Sequence, residues 1–115
     1  MDLTIYHNTR CSKSRKTLEL ILAANINPII KEYLIETLSA EEINILLSQL
    51  NLPIRDILRK GEAIYKTRGL SDKNLSDAEL IDAVIESPIL LERPIVTNGT
   101  HAIIGRPPEN VNSLI

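Results

Sequence analysis

The stretch LTIYHNTRCSKSRKTLELILAANINPIIKEYL, residues 3 to 34, constrains the fold more than any other part of the chain. A β-type run at Leu3–Tyr6 stops at His7-Asn8-Thr9-Arg10. From Ser12 to Ala24 the apolar residues Leu18, Ile21 and Leu22 recur at the helical period. Asn25, Asn27 and Pro28 end that helix, and PIIKEYL then reads as a second strand. Two strands joined through a helix pair in parallel, with a right-handed crossover.

The middle of the 115-residue chain is helical. Ser39 with Glu42 makes a capping box before Ile43, Leu46, Leu47 and Leu50, and Pro53 suits a first helical turn leading into IRDILRK. Ser76 with Glu79 makes a second capping box before Leu80, Ile81, Val84 and Ile85. RPIVTNGTHAIIG then gives two β runs around Asn98-Gly99, a strong hairpin signal. RPPENVNSLI closes with a short helix begun at Pro107 and Pro108.

A β-α-β unit followed by β-β-α predicts an α/β, thioredoxin-like fold. We expect one domain over residues 1–115, with a helical insertion at about 39–72 between the halves. In that fold the reactive cysteine follows the first strand, at the first turn of the first helix. Cys11 stands there, and it is the only cysteine in the chain.

One cysteine closes no intrachain disulfide, and with His7 and His101 it makes no metal-ligand spacing, so no metal is expected. The net charge of −2 offers nucleic acid no bulk attraction, and three Tyr without Phe or Trp give unpaired bases little to stack on. No apolar run has the length of a membrane span, and MDLTIY leads straight into a strand without a signal peptide. A cytoplasmic monomer is the expectation.

Nucleophilic sulfur must be thiolate. A helix N-terminus supplies unpaired N–H groups and the positive end of the dipole, and with nearby His or Arg it lowers a cysteine pKa to roughly 3.5–7.5. The groups available to Cys11 are the amides of Ser12 to Ser14, with His7, Arg10 and Arg15. Arg15 lies one helical turn on and can face the same site. Arg10 and Lys13, taken singly, read as solvated charges. The same positive nest suits an oxyanion. A cysteine phosphatase would need Cys-x5-Arg, but position 17 is Thr17. Nucleotide-binding loops fail too, because the first sixty residues contain no glycine. Cys11-Ser12-Lys13-Ser14 places Ser14 where a resolving cysteine would stand, so an oxidised sulfur needs a thiol from outside.

TIYHNTRCSKSRKTL, ILRK, PILLERPIV and GRPPE, in this order, resemble the glutaredoxin-dependent arsenate reductase (ArsC-like) family across essentially the whole chain, in a short form. Thr9 stands where a proline commonly follows the HN pair. The resemblance implies that Cys11 attacks arsenate, that glutathione attacks the arsenic–sulfur adduct, and that glutaredoxin completes the electron transfer. Glutathione is then a co-substrate, and no bound cofactor is implied. His7 would favour the thiolate. Arg59, Arg93 and Arg106 would line the anion site, with Asn8, Ser14 and Arg15 as further substrate-binding candidates; each arginine taken alone reads as a surface charge. Guanidinium forks suit tetrahedral oxyanions. Arg93 precedes Pro94, which matches the cis-proline that faces the cysteine in thioredoxin-like folds.

Two alternatives stay open. An Spx-like transcriptional regulator binding RNA polymerase shares the fold, although that group typically carries Cys-x-x-Cys. A general glutathione-linked thiol oxidoreductase is the other.

Overall fold

A computed structural model describes residues 2–115. The order of elements is β1 (Thr4–Tyr6), α1 (Ser12–Ala23), β2 (Ile29–Lys31), α2 (Ala40–Leu50), α3 (Ala63–Thr67), α4 (Asp77–Glu86), β3 (Ile95–Thr97) and β4 (Ala102–Ile104). Short 3-10 helices at Ile54–Ile57, Pro88–Leu90 and Pro108–Leu114 complete it. The chain divides into two compact units, one made of residues 1–36 and 93–115, the other of residues 37–92.

The first unit carries the four-stranded sheet, in the order β2-β1-β3-β4. β1 pairs parallel with β2 and antiparallel with β3, and β3 pairs antiparallel with β4. This β-α-β plus β-β-α order is thioredoxin-like, as expected. Register explains its core. Ile5 stands opposite Val96, and Val96 opposite Ile103, so the three share one face of the sheet. Leu3, Ile5 and Val96 are buried there with Ile21 of α1 and with Val111 and Leu114 of the last 3-10 helix. The spacing of Val111 and Leu114 suits a 3-10 turn, which repeats every three residues.

Local signals set the ends of α1. Its first backbone bond runs from Arg15 N–H to the Cys11 carbonyl at 3.0 Å. At the other end Asn25 adopts φ 62, Asn25 N–H donates to Leu22 O (3.0 Å) and Ile26 N–H donates to Ile21 O (3.4 Å). That pattern is a Schellman cap, with Asn in the left-handed position.

The second strand is shorter than PIIKEYL suggests. Its ladder stops at Lys31, where His7 N–H donates to the Lys31 carbonyl at 2.8 Å and β1 gives way to the loop before Cys11. With no partner left, the chain turns, and Glu36 N–H donates to Glu32 O at 2.8 Å. The hairpin also differs in detail. Asn98 N–H donates to His101 O at 3.0 Å, so Gly99 and Thr100 are the central pair rather than Asn98-Gly99. Gly99, at φ 92, takes the first central position, which in a II′ turn favours glycine. Asn98 Oδ1 accepts from the amides of Thr100 (2.9 Å) and His101 (2.8 Å).

The second unit holds α2 to α4, and the expected insertion at about 39–72 falls within it. Both capping boxes form, at Ser39/Glu42 and at Ser76/Glu79. IRDILRK does not continue as an α-helix. After the 3-10 turn at Ile54–Ile57, Leu58 is extended and bridges Leu91 antiparallel. Arg59 N–H donates to Leu90 O (2.7 Å) and Glu92 N–H to Ile57 O (2.8 Å), so these backbone groups are not free for a helix.

Candidate active site

Cys11 is the N-cap residue of α1, in extended conformation at φ −90 and ψ 121, and its thiol is free. The loop before it is tied internally. Cys11 N–H donates to Asn8 O at 3.0 Å, Arg10 N–H to Asn8 Oδ1 at 3.0 Å, and Arg15 Nη1 to Thr9 O at 2.9 Å. Asn8 and Arg15 thus shape the loop that presents the sulfur.

Ser14 is the hub beneath it. The residue is fully buried, and its Oγ lies 2.6 Å from His7 Nδ1 while accepting from Asn8 N–H at 3.1 Å. Its hydroxyl faces inward to these two groups, and its amide is the part that acts on the sulfur. His7 is likewise buried. Burial lowers its pKa, the Glu32 carboxylate opposes that shift, and the Arg15 charge adds to it. The imidazole is held toward its neutral form and reaches the thiol's surroundings through Ser14.

The Cys11 pKa is lowered from the ordinary 9.0 although burial alone pushes it up. The Ser14 amide, hydrogen bonding from the Arg93 side chain, the Lys13 amide and the Arg93 charge together outweigh the burial. The thiol closes no cap hydrogen bond of standard geometry, yet the first-turn amides favour the negative sulfur over the neutral one.

Arg93 lies just before β3, and the Arg93-Pro94 peptide bond is cis. Its Nε and Nη1 are buried and have no hydrogen-bond partner. Buried guanidinium donors left open cost free energy, and an anion would complete them. Arg106 is next to it, with Nη1 donating to the Arg93 carbonyl at 3.3 Å. Arg59 belongs to the second unit. Its Nη2 lies 3.7 Å from Glu62 Oε2, and its Nη1 is buried without a partner. Arg10 and Lys13 are exposed.

An open cavity of about 280 Å³ borders the loop at His7, Thr9, Arg10 and Glu32, and Cys11 is not among the residues that line it. Glu32 acts on His7, although PIIKEYL reads as a strand that contains it. A signal was present: parallel pairing brings the C-terminal ends of β1 and β2 together, so the residue after Lys31 approaches the one after Tyr6. Among the described residues no group of three or more His, Cys, Asp and Glu is arranged to hold a metal ion. No helix among them is long and apolar enough to cross a membrane.

The model of the ArsC family matches residues 6–114. The chain belongs to the ArsC family. It is 43% identical to an arsenate reductase of Haemophilus influenzae, with all of both chains covered. It is 42% identical to the protein YfgD of Escherichia coli K12, over 99% of this chain and 97% of that one. Among solved structures, an arsenate reductase from Vibrio cholerae superposes with a TM-score of 0.96 at 45% identity, covering 100% of this chain and 98% of that one.

Proposed function

We propose that this ArsC-family chain reduces arsenate to arsenite, with Cys11 as nucleophile, glutathione as co-substrate and glutaredoxin as electron carrier. The observation that carries the reading is Arg93: it favours the Cys11 thiolate and still offers two buried, unpartnered N–H-bearing nitrogens. An arsenate oxygen supplies the acceptor those donors lack, and the same contact holds arsenic near the sulfur. Arg106 adds positive charge beside Arg93, with its Nη1 donating to the Arg93 carbonyl.

The Cys11 thiolate attacks arsenic and displaces water from the protonated oxyanion. Glutathione then attacks this adduct, its sulfur bonding to the Cys11 sulfur or, through arsenic, leading to the same mixed disulfide. The two electrons come from the two thiols, arsenic(V) leaves as arsenite, and glutaredoxin reduces the disulfide. Ser14 cannot resolve the adduct, so the reductant is external, and a reducing cytoplasm suits this cycle.

The test is arsenate-dependent NADPH oxidation coupled through glutathione, glutathione reductase and glutaredoxin. Multiple turnover is expected with the full system, none without glutathione, and none for Cys11→Ser. Absence of arsenate-dependent oxidation in a protein whose Cys11 alkylates normally would sink the substrate assignment.

A further inference from the structure

Gly105 opens the GRPP segment, immediately after β4, and its N–H donates to the Pro94 carbonyl at 2.8 Å. A Cβ placed on it would lie 2.5 Å from Thr17 Oγ1, 2.7 Å from Pro94 Cγ and 3.3 Å from Pro94 Cδ. The first two separations are closer than nonbonded heavy atoms approach. Gly105 is not among the glycines of positive φ, so its backbone conformation does not call for glycine. Close approach does.

Both crowded neighbours lead to the sulfur. Thr17 is fully buried in α1, and its hydroxyl donates to Lys13 O at 2.8 Å, in the turn whose Lys13 and Ser14 amides act on Cys11. Pro94 is bonded to Arg93, whose guanidinium is the other group favouring the thiolate. The helix amides and the arginine come from segments about eighty residues apart, and a neighbour of each, Thr17 on the helix and Pro94 beside the arginine, flanks Gly105.

We propose that Gly105 is a positioning residue: its missing side chain lets Thr17 and Pro94 close on one another, which brings the first turn of α1 and the Arg93 guanidinium onto the same sulfur. The proposal deepens the reading of Cys11 as the nucleophile. Its test reads the thiol directly and needs no arsenate, so an inactive protein with a normally ionising thiol would count against the substrate and not against Gly105.

Gly105→Ala is compared with the native protein by iodoacetamide alkylation rate against pH, alongside a thermal melt. The methyl group should separate helix and arginine and raise the alkylation midpoint by about one pH unit, which is about tenfold less thiolate at a pH well below the midpoint. Val111→Ala, in the core of the same unit, is the control; it should lower the melting temperature and leave the midpoint in place. A folded Gly105→Ala protein with the native midpoint overturns the proposal, as does an equal shift in Val111→Ala. Should Gly105→Ala fail to fold, Thr17→Ile crowds the same gap from the helix and is compared with Thr17→Val, which loses the same hydroxyl bond to Lys13 O without the added bulk. A midpoint raised above that of Thr17→Val supports the role, and one no higher overturns it.

Discussion

Cys11 is pulled in two directions. Burial opposes its ionisation, while the Ser14 and Lys13 amides and the Arg93 guanidinium favour it, and the second set prevails. The alkylation midpoint should therefore lie below the ordinary 9.0. Arg93→Ala should move it upward and weaken arsenate binding by about tenfold or more, since charge-assisted hydrogen bonds contribute about 1.5–3 kcal/mol. His7→Asn should move it less, because the imidazole bonds to Ser14 rather than to the sulfur. A midpoint unchanged in Arg93→Ala would remove the arginine from the thiol's surroundings. The amide contribution could be read from the helix start alone. That of Arg93 could not, because its eighty-odd residues of separation carry no local pattern; only the family resemblance pointed to it.

Among the elements, those fixed by neighbouring residues are the ones a sequence displays. Both capping boxes join a serine to a glutamate three residues on, and both form as their spacing indicates. Ser39→Ala and Ser76→Ala should each cost about 1 kcal/mol, read as a lower denaturant midpoint with an unchanged slope. The capping hydroxyls lie on exposed residues, so little else is lost with them. Elements fixed by a distant partner read less well. β2 stops at Lys31 because β1 offers nothing further to pair with. The run after Pro53 leaves the helix because Leu58 pairs with Leu91. The hairpin keeps its place and moves its central pair by one residue, since the side chain of Asn98 accepts two amides across the turn.

For the whole molecule, His7 and Cys11 give stability one direction of change with pH. The folded-state pKa of His7 is depressed, so the unfolded chain binds its proton more readily. Its contribution is fully present above the unfolded value of about 6.5 and is lost as pH falls through the folded value. Cys11 acts in the same sense higher up: its contribution is complete above 9.0 and declines as pH falls toward its lowered folded value. In denaturant titrations across pH, His7→Asn should flatten the slope on the acid side of neutrality, and Cys11→Ser should flatten it on the alkaline side. An unaltered acid-side slope in His7→Asn would show that the buried imidazole does not couple to folding. The thioredoxin-like order, the helix caps and the place of Cys11 at a helix start are legible in the sequence, because hydrophobic period, capping and helix polarity act over a few residues. The closed fold settles where strands end, that Ser14 turns its hydroxyl to His7 and Asn8, and that Arg93, from a distant segment, lowers the pKa of Cys11. Those outcomes depend on which distant backbone comes within hydrogen-bonding or van der Waals reach, and only the closed fold sets that distance.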